Sequence, residues 1–595
     1  MKNAKNVFEA VVAKRKVVQG VVYLTLAKQT GKFNVKPGQF VVLAPLSPTS
    51  VQPRPFTVVS TEENVFELAI KIVGKNTEKY AELKVGESIN VTGPCGKPLV
   101  LDPKAKSFIL VGGGIGMATL LPVEKKLIAR KKKYQILFGT KSEYEAAIVD
   151  RCDPRKLGCI FETGASRKDP PHTGLVTHLL AQGFENKKFL KDATVIACGP
   201  RAMLREVAML CKMYGNKCIV LVEELMACGT GSCKGCAIEG VDGKTKYVCT
   251  DGPAFDAEWI YWDKFAPYNS VRIQNINTTS LPSEGMQIML RWHGFSMKPR
   301  ILDLKSPLMN ASGCLDIRTI EDGLFNTEGM GAYVAKGICL DSKEGNAMPR
   351  TCETVSGMIN SIGLPGMGVK HFVDHDLPRM LKIGIPVIAN FFGRSVKEFG
   401  EVARILSKTK VAAIEVNVSC PNIEDGGAIF GIDPYFVQKI TKAVCMAAPK
   451  KFVIVKLTPN VTSIVDIAKA AADAGADAVS LVNTFKAMAI DTRTLRPKIG
   501  FGFGGLSGPA IRPIAVRMVH EIFKANIGIP IIGMGGITDA DSAAEFFIAG
   551  ASAVAIGTGG FGNKNIFPEV AAGLERKLKE LGMKDIGELV GSLRT

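Results

Sequence analysis

From about residue 5 to 100 the chain alternates apolar and polar positions in short runs: VVYLTL, QFVVLAP, PFTVVS, FELAIKIV and SINVTGP. Gly and Pro punctuate these runs. Side chains two apart share one face of a strand, so the period predicts half-buried strands, and their regular spacing predicts a small antiparallel barrel. From 107 to about 222 the pattern becomes apolar strand, glycine turn, helix: FILVGGGIGMATLL, YQILFGT, ATVIACGPRAMLREVAMLC and KCIVLVEE. That pattern predicts a compact parallel α/β domain. A cysteine-bearing segment follows, and then the polar stretch NSVRIQNINTTSLPSEG (269–285), with Pro282 and Gly285, reads as a linker. Beyond it, strand–helix units repeat. AYVAKGI, IPVIANF, AAIEVNVS, FVIVKLT, AVSLVNT, IPIIGMGG and AVAIGT read as strands, with SIVDIAKAAADAG and DSAAEFFIAG as intervening helices. Seven such strands over about 300 residues predict a (β/α)8 TIM barrel with its site at the strand C-terminal ends. The expected division is 1–102 barrel, 103–222 α/β domain, 223–268 cysteine segment, 269–285 linker and 286–595 TIM barrel.

Composition narrows the class. A chain of 595 residues exceeds one hydrophobic core, and 46% hydrophobic content with 61 glycines suits nucleotide-binding α/β domains. No apolar run reaches the roughly 18 residues of a membrane span. The N-terminal MKNAKNVFEAVVAKRKVV alternates like a strand and lacks the apolar core of a signal peptide. The expectation is a cytoplasmic protein without a membrane partner, whose 15 cysteines are mostly reduced. Cys159 and Cys218, in apolar runs, read as buried small hydrophobes. The net charge of +19 comes from scattered basic residues; the densest run, Arg130 to Lys133, follows a predicted helix. No nucleic-acid module is legible, so the charge reads as a solvated surface that attracts phosphates and carboxylates.

Four cysteines have ligand spacing. Cys228, Cys233, Cys236 and Cys249 form Cys-x4-Cys-x2-Cys followed, after twelve residues, by Cys. Three thiolates in one glycine-rich loop and a fourth returning from a hairpin can enclose a [2Fe–2S] cluster. Zinc is the alternative, although structural zinc loops favour paired C-x2-C knuckles. A [2Fe–2S] cluster carries single electrons, so two other redox sites are expected to flank it.

On the N-terminal side, Arg54-Pro55-Phe56-Thr57 ends a predicted strand. Arg54 offers a bidentate phosphate clamp and Thr57 a hydroxyl. Gly112-Gly113-Gly114-Ile115-Gly116 follows FILV directly, where glycines let a diphosphate approach a helix N-terminus. Cys198-Gly199-Pro200-Arg201-Ala202-Met203 lies at a later strand end. In this order, with the run Glu223-Glu224-Leu225-Met226-Ala227-Cys228, the N-terminal 265 residues resemble the ferredoxin-reductase family. They resemble most the electron-transfer subunits of type 1B dihydroorotate dehydrogenases, whose cluster loop reads EERMACGxGxCxGC. The resemblance implies FAD near Arg54, Pro55, Phe56 and Thr57, and NAD against Gly112, Gly113, Gly114 and Gly116. In the second FAD segment the family shows Tyr-Arg-Val…Gly-Thr, whereas this chain has Ile70-Lys71-Ile72…Asn76-Thr77. Lys71 keeps the charge and Thr77 the hydroxyl.

On the C-terminal side, polar groups gather at predicted strand ends. Asn417 and Cys420 end NVSCPN, Lys336 ends AYVAK, Lys456 ends FVIVK, and Asn483-Thr484 end AVSLVNT. Cys420 is a candidate base, although a thiol of pKa about 8.5 is mostly protonated at neutral pH. Gly535-Gly536 and Gly557-Thr558, at the last two strands, predict the phosphate site of this fold and hence a mononucleotide flavin, FMN. With Asn310-Ala311-Ser312-Gly313, Gly345-Asn346-x-x-Pro349-Arg350 and Leu506-Ser507-Gly508-Pro509, the half resembles the catalytic subunit of class 1 dihydroorotate dehydrogenases. The resemblance implies FMN held by Ser312, Lys336, Gly337, Asn390, Asn417, Lys456, Val482, Gly508, Gly535, Gly536, Gly557 and Thr558. It implies dihydroorotate or orotate held by Lys336, Asn360, Ser361, Ile362, Gly363, Leu364, Asn417, Asn483 and Thr484, with Cys420 as base and Lys336 stabilising reduced flavin. It further implies a homodimer through the barrels. Two segments depart from the family, 363–368 and the stretch LDIRTIEDGLFNTEG after Cys314; both are expected near the substrate mouth. The expected activity is oxidation of dihydroorotate with electrons reaching NAD⁺ in pyrimidine biosynthesis. The alternatives are an NADH-dependent reductase of uracil or thymine, or an electron-supply module whose barrel only docks.

Overall fold

The computed structural model describes residues 6–18, 20–46, 50–140, 148, 151–152, 156–161, 174–186, 192–265, 288–290, 300–418 and 427–594. The stretch read as a linker, 269–285, and Cys420 lie outside them.

The N-terminal strands close into a six-stranded antiparallel barrel. Its strands are Val7–Val18, Val21–Lys28, Phe40–Leu43, Arg54–Glu62, Val65–Lys71 and Ser88–Cys95. The period of two fills its interior: Ala10 and Val12; Val22, Leu24 and Leu26; Val41 and Leu43; Phe66, Leu68 and Ile70 all enter one buried cluster. The second unit is a six-stranded sheet. Leu157–Phe161, Lys133–Thr140, Ser107–Gly113, Thr194–Cys198 and Cys218–Leu221 run parallel, and Ala254–Asp256 adds antiparallel at the edge. That edge strand comes from the cysteine segment. It is only three residues long, too short to show a period, and its register against Cys218–Leu221 joins the cluster segment to the nucleotide sheet.

The C-terminal half has eight parallel strands. In sheet order they are Leu308–Asn310, Ala553–Ile556, Ile531–Gly533, Ala478–Leu481, Phe452–Lys456, Ala413–Asn417, Val387–Phe391 and Tyr333–Val334. A parallel bridge from Met309 to Ala332 brings the two edges together, so the sheet is nearly closed. The seven expected strands are present, and Leu308–Asn310 completes the eight. Side-chain caps begin the outer helices. Ser395, Ser463 and Asp539 accept backbone N–H bonds from Glu398, Asp466 and Ser542 and start Val396–Ser407, Ile464–Asp473 and Ala540–Ile548. An antiparallel sheet of Thr351–Thr354, Gly357–Asn360, Gly504–Ser507 and Phe485–Ala487 is built from the loops at the C-terminal strand ends.

Candidate active site and cluster site

A pocket opens at the C-terminal ends of the eight strands. Each strand delivers its next residues there because a parallel barrel points every C-terminal end the same way. Of the residues expected at FMN, all line this pocket except Asn390; of those expected at the substrate, all except Ser361. Asn390 lies one layer deeper, fully buried, with Nδ2 donating to Glu415 Oε2 at 2.6 Å. Ser480 Oγ donates to the other Glu415 oxygen at 2.7 Å. Glu415, the one charged residue in the run AAIEVNV, therefore ties together the adjacent strand Val387–Phe391 and the next-but-one strand Ala478–Leu481 from inside the barrel; its lone charge was the available signal. Ser361 is buried behind the wall, where its Oγ accepts from Asn346 Nδ2 at 2.8 Å.

Lys336 supplies charge to the pocket. Burial first, and the Lys234 ammonium second, push its pKa down to about 7. Cys314 also lines the pocket, and burial pushes its thiol up to about 11. It therefore stays protonated and is a poor base. Several polar atoms of the region have no protein partner: Asn390 Oδ1, Ser507 Oγ and Thr351 Oγ1 are buried and unbonded among the described residues. Ser507 and Thr351 belong to the pocket wall. Buried polar atoms without partners are costly, so this wall is built for a polar ligand. At the phosphate end, Gly536 has φ +78°, and a Cβ there would lie 2.8 Å from the Gly508 carbonyl oxygen. Only glycine permits that backbone approach.

The cysteine loop lies against this pocket, and Cys233 is one of the residues lining it. All four cysteines are buried. Cys236 Sγ donates to Cys249 Sγ at 3.1 Å, and Cys228 neighbours both Cys233 and Cys249. Backbone N–H groups of Cys233, Gly235 and Cys249 point at the sulfurs of Cys228, Cys233 and Cys236 at 3.3–3.4 Å. Among the described residues no three ligating side chains converge on a single bare ion. A two-iron cluster takes two thiolates per iron and needs no such convergence, so the donor set fits [2Fe–2S].

Glycines explain how the loop is sandwiched. A Cβ on Gly229 would meet Val42 of the N-terminal barrel at 2.7 Å, and one on Gly235 would meet Thr351 of the C-terminal barrel at 3.0 Å. Polar locks hold the same contact. Lys234 Nζ pairs with Asp316 at 3.0 Å, Asp316 N donates to Ser232 Oγ at 3.1 Å, and Thr319 Oγ1 donates to the Thr230 carbonyl at 2.8 Å. Burial pushes the Asp316 carboxyl up, but Lys234 and Arg318 together outweigh it and hold the group well below the usual carboxylate range. Leu324 packs into the core of the nucleotide and cluster domains. The unusual segment after Cys314 is thus a docking surface for the cluster loop rather than substrate mouth. The other unusual segment does reach the pocket, through Gly363 and Leu364.

The remaining expected positions sit in the N-terminal units. Arg54 donates to the Gln52 carbonyl at 3.0 Å and pairs with Glu353 of the C-terminal half at 2.6 Å, and Ser50 Oγ donates to the same carboxylate at 3.0 Å. Pro55 follows in the same strand, Phe56 packs edge-on against Tyr80, and Thr57 Oγ1 lies 3.1 Å from Thr119 Oγ1. Lys71 ends Val65–Lys71. The Thr77 hydroxyl caps its own helix, accepting from Val73 N and Gly74 N and donating to the Gly74 carbonyl. Gly112 and Gly113 end their strand, and Gly114 and Gly116 make the turn into Met117–Ala129. A Cβ on Gly116 would lie 2.5 Å from the Cys198 carbonyl oxygen, so the two expected nucleotide turns touch.

Comparison with known sequences agrees with this geometry. Residues 297–578 match the family Dihydroorotate dehydrogenase, 223–261 the iron-sulfur cluster binding domain of dihydroorotate dehydrogenase B, and 4–99 an FAD-binding domain. The dihydroorotate dehydrogenase B (NAD(+)) catalytic subunit of Pelobacter propionicus is 45% identical over 293 residues, 49% of this chain and 96% of its own length. The chain belongs to the dihydroorotate dehydrogenase family. The corresponding subunit of Caldicellulosiruptor bescii is 49% identical over 292 residues, with the same coverage. A solved structure of an NADH-dependent reduced ferredoxin-NADP oxidoreductase is 28% identical with a TM-score of 0.39, covering 43% of this chain and 90% of its own. The chain is an oxidoreductase that carries electron-transfer and catalytic parts in one polypeptide. Among the described residues no helix is long and apolar enough to cross a membrane.

Proposed function

We propose that the chain oxidises (S)-dihydroorotate to orotate in the C-terminal barrel and delivers the electrons to NAD⁺, as a step of de novo pyrimidine synthesis. One observation carries this reading: Cys233 belongs to the cysteine quartet and also to the wall of the barrel pocket. When bound, FMN supplies hydride acceptance, the [2Fe–2S] cluster single-electron relay, and FAD hydride exchange with NAD⁺. The chain's own groups position and protonate. Asn483 Nδ2 donates to Asn417 Oδ1 at 3.3 Å, and Asn360 Nδ2 to the Gly505 carbonyl at 3.2 Å, so three amides share the mouth where a flat imide ring needs donors and acceptors. Gly535, Gly536, Gly557 and Thr558 offer backbone N–H groups to the flavin phosphate. Lys336 meets the negative charge of substrate and reduced flavin. Cys420, three residues beyond Asn417, removes the C5 proton. The reading carries a cytosolic enzyme paired with a second copy through the barrels.

Steady-state NAD⁺ reduction by dihydroorotate tests it. Faster turnover of uracil or thymine with NADH would instead identify a reductase of carboxylate-free pyrimidines.

Lys336 makes the pocket's anion affinity pH-dependent. Below pH 7 it is cationic and meets orotate's carboxylate directly. Above pH 7 it is neutral, and binding must take up a proton. Orotate affinity is therefore expected to fall as pH rises from 6 to 8. In Lys336→Met it should be about tenfold weaker at pH 6, near 1.4 kcal/mol, and flat with pH. Calorimetric titrations in buffers of different ionisation enthalpy read the proton uptake; equal uptake in both proteins would contradict the assignment.

A further inference from the structure

Lys564 lies between the helical turn Gly559–Gly562 and the helix Ile566–Leu581 of the dehydrogenase barrel. It is 4% exposed, and its Nζ donates to the carbonyls of Cys228 at 3.1 Å, Gly560 at 3.1 Å and Phe561 at 2.8 Å. Three acceptors around one nitrogen match the three N–H bonds of an ammonium, whereas a neutral amine has two. Among the described residues its recorded partners include no carboxylate; burial pushes its pKa down, and the groups that oppose this are the cysteine sulfurs of Cys228, Cys95, Cys233 and Cys249. A cation buried among carbonyls is strongly unfavourable unless an anion lies beside it. Cys228, Cys233 and Cys249, three of the four thiolates of the cluster site, supply that anion, whereas burial pushes the Cys95 thiol up to about 12 and keeps it neutral.

We propose that Lys564 is the built-in counter-charge of the cluster, a positioning residue fixed on the Cys228 carbonyl that raises the cluster's reduction potential. The proposal rests on the [2Fe–2S] reading above. When the cluster accepts one electron from the dihydroorotate side, no bond forms or breaks and its net charge becomes one unit more negative. A fixed cation in a low-dielectric interior favours that more negative state. Lys564 belongs to the barrel and Cys228 to the electron-transfer half, so the cation stands beside the cluster only when the halves are docked. The arrangement favours electron acceptance by the cluster in the docked chain.

Lys564→Met and Lys564→Gln in the full-length holoenzyme test this. The glutamine keeps a neutral donor for the Cys228 carbonyl, and the methionine keeps only the packing. Iron, sulfide and flavin contents are measured first, and then the cluster's midpoint potential by EPR-monitored redox titration. Both variants are expected to keep the cluster and to reduce it about tenfold less readily, a fall of about 59 mV for one electron. If only the methionine variant loses iron, the glutamine variant's lowered potential carries the proposal. An unchanged potential with full iron would overturn it. Loss of the cluster from both variants with flavin retained would also overturn it, since Lys564 would then be an anchor alone. Wild-type protein without iron and sulfide would remove the cluster reading itself.

Discussion

Cys236→Ala is expected to abolish dihydroorotate-dependent NAD⁺ reduction while leaving both half-reactions running. Cys236 is buried, bonded to Cys249 and absent from the pocket wall. In the proposed cluster its removal would take away one of two thiolates from one iron without touching the barrel pocket, which Cys233→Ala would disturb. Dihydroorotate should still reduce an artificial acceptor at the barrel, and NADH should still reduce a dye through the N-terminal domains. Only the connection between them is lost. Coupling that survives in iron-free protein would contradict the relay. Equal loss of both half-reactions would show that the cysteine loop holds the fold together rather than the circuit.

Cys420→Ala is expected to slow flavin reduction by dihydroorotate by about 10²–10⁴-fold, the usual worth of a general base. NADH oxidation through the FAD side should be unchanged. The strand Ala413–Asn417 delivers Asn417 to the pocket wall, and Cys420 follows three residues later. The other nearby thiol, Cys314, is held protonated by burial, with a pKa of about 11. It cannot substitute for Cys420 near neutrality. With Cys420 in the proposed role, its thiolate would be the active form, so the rate of flavin reduction should rise with pH toward the usual thiol range of about 8.5. A flat profile from about pH 6 to 9, or an unimpaired alanine variant, would contradict the role.

The barrel strands and their polar ends were legible because most of the strands are largely apolar runs that stop near a residue able to bind a ligand. Lys336, Asn417, Lys456 and Asn483 reach one pocket for that topological reason. The charge of Glu415 stood out in its strand, but its partners Asn390 and Ser480 lie 25 and 65 positions away in the chain and no local pattern names them. The docking surface was not legible. Asp316, Thr319, Glu353 and Lys564 meet residues 82, 89, 299 and 336 positions away. No local period encodes such pairings. The segment after Cys314 looked like an altered substrate mouth because only its departure from a family pattern was visible, not the loop it touches. Thr77 shows the converse: its hydroxyl has local work at a helix end, which a motif match does not reveal.

Anaerobic titration of the purified holoprotein with dihydroorotate, followed by visible absorbance and EPR, tests the circuit most directly. The account predicts that flavin and cluster bleach together, that reducing equivalents fill FMN, cluster and FAD in one chain, and that added NAD⁺ restores the colour. Bleaching confined to one flavin, with the cluster still oxidised at saturating dihydroorotate, would contradict it.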